Sequence, residues 1–313
     1  MDAVRAKQRQ FIIESVVLTI IGTIGTIGNI GAVLFFGRTK RRQLRFYNLM
    51  LSLAVVDILV IISFIWFCSI PEFLDTTRTS HYWSIWLYPI LKICCTGSIF
   101  LTVAVSLERY LAICKPLLYH EHQKKTKVVL ISIFSISILY NIPTFFELKW
   151  LDHIPVTNGR NRTINIGVWP TELRINSEYV EIYVLLCNVL ILGVIPMVLL
   201  MFLNVSIVQE MKKLRYYNTG VMADENEERM RNKQLQMANI NITIVIIFIL
   251  CHSLSQIPTI HELCQRSIIG ENVTKWAHKD LMYTLTEISQ VLVVFNSSVN
   301  FYVYMIKMRL LQN

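Results

Sequence analysis

With 313 residues, 54% of them hydrophobic and only 16% charged, and a mean hydropathy of +0.48, the chain cannot present an ordinary water-facing surface. That composition excludes a soluble globular domain and points to a membrane protein. The net charge of +9 is strongly basic, but in a membrane chain basic residues gather on one face against anionic lipid, so it does not argue for nucleic acid.

A transmembrane helix needs about 20 mostly apolar residues. Seven stretches answer to that, at 11–36, 44–69, 83–113, 127–147, 179–207, 238–263 and 278–306. The expected fold is an all-α membrane protein, a seven-transmembrane helix bundle forming one domain over 1–313, with residues 1–10 outside the membrane ahead of the first span. No stretch remains for a second globular domain, and no repeat or low-complexity segment is visible. The first span, about 26 residues long, is too long for a signal peptide and lacks a small-x-small cleavage pattern, so it is expected to stay. The chain stops at Asn313, soon after Tyr304, so a C-terminal tail is largely absent and a fragment is expected.

Orientation follows from Lys and Arg in the loops, which are retained on the cytoplasmic side. With the amino terminus outside, the inner side holds 17 of them, from Arg38 to Arg309, and the outer side 10. Two sequons, at Asn161 and Asn272, fall in outer loops and are candidate glycosylation sites; those at Asn204, Asn241 and Asn296 lie inside spans, where glycosylation is impossible. The basic segment before residue 11 is the one feature against this orientation.

Polar residues inside the spans carry the next step, because a charge at a helix centre costs roughly 2.5–3.5 kcal/mol on insertion scales and implies partners or water. Asp57 closes the stretch Leu53-Ala54-Val55-Val56-Asp57 in the second span. Asn29 lies in the first, Ser98 in the third, and Asn296, Ser297 and Asn300 in the seventh. Singly, such residues serve as helix-to-helix hydrogen bonds. Together, a carboxylate and several amides at matching depth read as a polar cage for a cation or water. At the inner end of the third span, Leu107-Glu108-Arg109-Tyr110 sets an arginine beside a carboxylate where the helix meets a basic loop; a snorkelling arginine is the simpler alternative.

Gly28-Asn29, Leu53-Ala54-x-x-Asp57, Glu108-Arg109-Tyr110, Pro116, Pro143, Pro196, Phe248-x-x-Cys251 and Asn300-x-x-x-Tyr304, in that order, resemble a rhodopsin-like G-protein-coupled receptor over residues 11 to 308. Within that class, Tyr140-Asn141-Ile142-Pro143, Ser98-Ile99-Phe100-Leu101-Thr102-Val103, Cys251-His252-Ser253 and Asn296-Ser297-Ser298-Val299-Asn300-Phe301 are most similar to invertebrate FMRFamide-type neuropeptide receptors. The resemblance implies a multi-pass plasma-membrane receptor with an extracellular peptide ligand, a heterotrimeric G protein on its cytoplasmic face and no chemistry of its own. Glu108, Arg109, Tyr110, Pro116, His252, Asn300 and Tyr304 would form the coupling switch. Asn29, Asp57, Ser98, Asn296, Ser297 and Asn300 would hold sodium or water. A seven-helix channel, transporter or non-signalling binding protein is the alternative, against which stand the absence of inverted repeats and of a charged path. An enzyme is not expected, since no nucleophile, acid-base pair or metal-ligand spacing appears.

Several positions depart from the family pattern. Ser84 stands where a disulfide cysteine is usual and residues 148 to 180 contain no cysteine, so the second outer loop is expected to depend on packing alone for order. The seven cysteines read as buried apolar thiols, a Cys68 to Cys264 bridge being the alternative. Phe301 replaces a proline, His252 a tryptophan and Leu254 a proline, with Pro258 moving the expected kink outward. Gln234 replaces a carboxylate facing Arg109 and Asn204 a tyrosine, which predicts a loosely held resting state with Glu108 as the main restraint on Arg109.

For the ligand, Val294 in place of a retinal lysine and Leu91 in place of an amine-binding aspartate set opsins and amine receptors aside. Helical spacing outward from Val294 puts Gln290, Glu287 and Tyr283 on one inward face. Ser255, Thr259 and Glu262 stand above His252, and Tyr88, Leu91 and Glu147 complete the expected pocket. An inward carboxylate at the outer mouth, Glu287 first and Glu262 second, suits a basic group such as the arginine of an Arg-Phe-amide peptide, with aromatics Tyr88, Phe145, Phe146, Trp150 and Trp169 for its other end; either glutamate alternatively faces water.

Overall fold

The computed structural model describes residues 11–38, 45–69, 78–122, 125–151, 155–158, 161–164, 167–217, 225–269 and 279–310. In hydrocarbon every backbone N–H and C=O must be paired within its own segment, so apolar runs become helices. Six of them are long and apolar enough to cross a membrane: Phe11–Arg38, Arg45–Ser69, Tyr82–Cys114, Thr126–Phe146, Ser177–Leu214 and Leu235–Cys264. The seventh span is the helix Lys279–Leu310, which is more polar because it carries Asn296, Ser297, Ser298 and Asn300. The seven-helix bundle expected from the sequence is the fold, with two short antiparallel strand pairs added between spans four and five. There β1 (Leu148–Leu151) pairs antiparallel with β4 (Gly167–Pro170), and β2 (Pro155–Asn158) with β3 (Asn161–Ile164).

The first span shows how sequence sets packing in lipid. Ile20, Ile24, Ile27, Ile30 and Leu34 form an exposed stripe, while Gly22, Gly25, Gly28 and Ala32 are buried. Large apolar residues face lipid and small ones face protein, because only close backbone approach gains packing energy there. A Cβ on Gly25 would fall on Ser298, and one on Gly28 would lie 2.7 Å from the Tyr302 ring. Span seven can therefore lie this close to span one only with glycine at position 25, where the Ser298 backbone itself would be met, while at Gly28 the neighbour is the end of the Tyr302 side chain. The Ser298 hydroxyl then donates to Ile21 O at 3.3 Å and the Tyr302 hydroxyl to Ile24 O at 2.8 Å.

The largest core cluster joins spans one, two, three and seven through Phe36, Leu49, Leu53, Ile61, Leu101, Val294 and Tyr304, and Tyr304 packs edge-on against Phe36 with centroids 5.0 Å apart. Smaller clusters join spans three, five and six at mid-depth (Ile99, Leu200, Val245, Phe248) and nearer the inner face (Ile113, Ile207, Met211, Ala238, with Tyr110 against them). Pro258 lies inside the helix Glu225–Ile269, which continues past it without a break. Span five is wound as a π-helix over Val180–Val194 before the α-helix Ile195–Tyr217. Cys68, Cys94 and Cys251 are buried as expected, but Cys264 is exposed, and none of the seven forms a disulfide.

Candidate functional site

Between the outer halves of spans two, three, five, six and seven lies a cavity of about 430 Å³. Span three contributes Tyr88, Leu91 and Lys92; span six contributes His252, Ser255, Thr259 and Glu262; span seven contributes Thr286, Ser289, Gln290, Val293, Asn296 and Ser297. Val184, Leu185, Asn188 and Leu192 come from the π-wound part of span five, the wider winding suiting a face that repeats every four residues. Arg174, just past β4, closes one side.

The cavity floor is one hydrogen bond from Asp57. Ser98, which lines the cavity, donates to Asp57 Oδ1 at 2.8 Å, and Asn300 Nδ2 donates to Oδ2 at 2.8 Å. The Ser297 side chain also bonds the carboxylate, and Asn29 Nδ2 donates to Ser297 O at 2.9 Å and to Gly25 O at 3.1 Å. Asp57 is fully buried, and among the described residues no cation pairs with it. Asn29 Oδ1 is buried without a donor, and a void of about 10 Å³ lined by Asn29, Leu53, Asn300 and Phe301 lies alongside, at the lower limit for one water. A buried carboxylate, two hydroxyls and an orphaned amide oxygen fit a small monovalent cation or water. Asn296 stands apart, on the cavity wall.

His252 joins spans five and six. Its Nε2 is 3.1 Å from Leu192 O, and because a carbonyl only accepts, that nitrogen carries the proton. Leu192 belongs to the π-wound part of span five, so the imidazole bonds the main chain of that segment directly. The imidazole also packs on Phe248, with centroids 4.7 Å apart.

At the inner end, Glu108 and Arg109 are both 1% exposed. Glu108 Oε2 lies 3.2 Å from Arg45 Nε, whereas Glu108 Oε1 lies 3.9 Å from Arg109 Nη2. The Arg109 guanidinium sits over the Phe46 ring at 3.9 Å, donates to Met237 Sδ at 3.4 Å and reaches the Tyr119 side chain. Glu108 is thus shared between two cations, Arg109 and the closer Arg45, a residue that loop counting placed on the inner surface and that is buried instead. Tyr119 belongs to the helix Pro116–His122, which Pro116 opens as proline does at a first helical position. Asn204, expected to weaken the switch, is tied in by another route: Asn241 Nδ2 lies 3.4 Å from Asn204 Oδ1 and 3.3 Å from Ser106 Oγ, linking spans three, five and six. The side chain of Gln234 lies outside the described residues.

A family model for seven-transmembrane receptors of the rhodopsin family matches residues 28–304. The chain belongs to that family. It is 28% identical to the FMRFamide receptor of Drosophila melanogaster over 309 residues, 95% of this chain and 52% of the relative. It is 25% identical to the FMRFamide peptide receptor frpr-18 of Caenorhabditis elegans over 233 residues, 70% of this chain and 47% of the relative. It is also 28% identical to the tachykinin-like peptides receptor 86C of Drosophila melanogaster over 112 residues, 36% of this chain and 22% of the relative. The chain spans about half the length of the first two of these curated relatives.

In this rhodopsin-family receptor, Tyr88, Leu91, Ser255, Thr259, Glu262 and Gln290 meet at one cavity. Three expected pocket residues do not line it. Glu287 is 7% exposed and faces away, and Tyr283 is 56% exposed on the outside of the bundle. Span seven is rotated by about one residue from the inferred face, presenting Thr286, Ser289, Gln290 and Val293. Of the expected aromatics only Tyr88 reaches the cavity, joined by Phe64, Phe67 and Phe248. Asn161 opens β3, its side chain outside the described residues; Asn272 and residues 1–10 are outside them altogether.

Glu147 is the third exception, buried behind the cavity. It accepts from the Tyr179 hydroxyl at 2.8 Å and the Tyr88 hydroxyl at 3.3 Å, and pairs with Arg174 Nε at 3.3 Å. Its backbone carbonyl accepts from Thr171 N at 2.9 Å. Spans three and five and the end of the outer loop thus converge on one carboxylate, so the loop does not depend on packing alone as expected from the missing disulfide. Arg174 is a third exposed and can turn to water, but leaving the partly buried hydroxyl donors of this carboxylate unmet costs about 1–3 kcal/mol. Glu147→Ala is therefore expected to lower the thermal midpoint of the detergent-solubilised receptor by several degrees, and an unchanged midpoint would refute the hub. Sequence reasoning also missed Lys92, although a lysine inside an apolar span is itself a signal.

Proposed function

We propose that this receptor sits in the plasma membrane with its amino terminus outside, binds an amidated FMRFamide-like neuropeptide in the cavity, and activates a heterotrimeric G protein. The observation that carries the reading is the continuity of the cavity, from Glu262 near its outer end to Ser98 and Ser297, which bond Asp57. The relatives named for FMRFamide supply the ligand class. With Glu287 turned away, Glu262 is the carboxylate offered to a ligand arginine, and Tyr88, Phe64 and Phe67 offer aromatic surface.

A ligand that reshapes the floor alters the Asp57 bonds to spans three and seven, and a difference in affinity between two arrangements is all that is needed to shift their populations. Moving the balance from 1:99 to 99:1 takes about 5.5 kcal/mol of differential affinity. On the inner side, Arg109 becomes available to the G protein when the sixth span departs and Met237 leaves it. Leu117, 87% exposed on the loop helix beside it, offers apolar contact to the same partner. Asp57, Ser98, Ser297 and Asn29 would hold a sodium ion or water in the resting arrangement, supplying the positive charge the carboxylate lacks.

The test is calcium and cyclic-nucleotide signalling in cells expressing the chain, challenged with a panel of amidated neuropeptides. The expected result is a dose-dependent response to one or more Arg-Phe-amide peptides that Arg109→Ala abolishes at equal surface expression. Replacing external sodium by a large organic cation is expected to raise agonist affinity in membranes from the same cells, and equal affinity would remove sodium from the site. Silence to every peptide in the panel would overturn the peptide reading.

A further inference from the structure

Lys92 is a cation inside an apolar span that forms no salt bridge among the described residues. Its ammonium lines the cavity from span three, 5.6 Å above the Tyr88 ring. Among the described residues no carboxylate lies within 4.0 Å of it. The neighbouring carboxylate, Glu147, is already engaged by Arg174, Tyr88 and Tyr179. Tyr88 thus spends its hydroxyl on Glu147 and offers only its ring face to the lysine. That corner holds two cations against one carboxylate, while Glu262 stands on span six across the cavity.

A charge kept half-buried without an ion pair is costly, and is tolerable here because the ammonium faces the open cavity. An accepting oxygen brought to it gains a charge-assisted hydrogen bond. We infer that Lys92 is the anchor for an anionic or strongly accepting oxygen of the ligand, a carboxylate or a carboxamide oxygen, with the ligand's basic group directed to Glu262. The inference rests on the peptide-receptor reading and adds a polarity to it: the peptide lies with its acceptor end against span three and its arginine toward span six. The accepting oxygen comes from the C-terminal group or from an acidic side chain.

The experiment uses the full chain with Lys92→Met and Lys92→Gln, surface expression being checked with an external tag. Signalling is read with Phe-Met-Arg-Phe-amide, its free acid and a version extended by an N-terminal aspartate. In parallel, thermal stabilisation of the purified receptor is read with acetyl-Arg-Phe and acetyl-Arg-Phe-amide. Lys92→Met is expected to weaken the active peptides about ten- to a hundredfold and to remove the thermal shift, with Lys92→Gln intermediate. A loss that depends on amide against acid assigns the C-terminal group, and a loss confined to the aspartate peptide assigns the side chain; either supports the anchor. Undiminished potency and an undiminished shift in a surface-expressed Lys92→Met overturn it. A Lys92-dependent shift with no signalling by any peptide instead overturns the receptor reading and leaves the anchor standing, whereas neither signalling nor shift overturns both.

Discussion

Arg45→Leu is expected to lower basal signalling and to right-shift the agonist response, while Glu108→Gln raises basal signalling. Both follow from one carboxylate shared by two buried arginines, at 3.2 Å from Arg45 and 3.9 Å from Arg109. Arg45 competes with Arg109 for the Glu108 charge, and Arg109 leans also on the Phe46 ring and the Met237 sulfur, both weaker partners than a carboxylate. Without Arg45, Glu108 turns to Arg109 and makes its release more expensive. Without the carboxylate, Arg109 loses the counter-charge that lies 3.9 Å from it. A buried pair broken on one side costs roughly 3–5 kcal/mol, so both variants lose stability while their signalling moves in opposite directions. That opposition separates a switch effect from mere misfolding. Basal activity per surface receptor is the measurement, and a rise in Arg45→Leu would sink the competition.

The Asp57 network was legible in the sequence because of its cost. A carboxylate in the middle of a span must be met by donors from neighbouring spans, so the serines and amides at the same depth were its natural partners, and Ser98 and Asn300 are. The seven helices were legible for the same reason: a long apolar run in lipid has few structures open to it. What the sequence left open was rotation. A 3.6-residue period defines a face but not which neighbour it meets, and span seven is turned by about one residue, which takes Glu287 and Tyr283 out of the cavity and brings in Thr286 and Ser289. The turn is set by Gly25 and Gly28, against which Ser298 and Tyr302 must pack, a contact between residues nearly three hundred positions apart. Arg45 and Glu147 escaped for another reason. Both stand at helix ends, where charges ordinarily face water, and their burial comes from how the ends of other elements close over them.

His252→Phe is the second variant with a large expected effect, because it removes one donor while keeping a ring to pack on Phe248. The imidazole Nε2 proton bonds Leu192 O at 3.1 Å, a carbonyl in the π-wound part of span five. Losing a hydrogen bond of this kind costs about 0.5–1.5 kcal/mol, and that penalty falls on the arrangement in which spans five and six are held together at this depth. A loss of 1.4 kcal/mol is a factor of ten, enough to take a resting receptor from about 1% active to about 10%. The expected readout is a several-fold rise in basal signalling with a left-shifted agonist curve in His252→Phe. His252→Gln, which retains an N–H donor, should stay near the parent. Since His252 also lines the cavity, a ligand pressing on the imidazole acts on the same bond from outside, so the agonist should gain less in His252→Phe than in the parent receptor. Equal basal activity and an equal agonist gain in parent and variant would show that the bond to Leu192 holds nothing back.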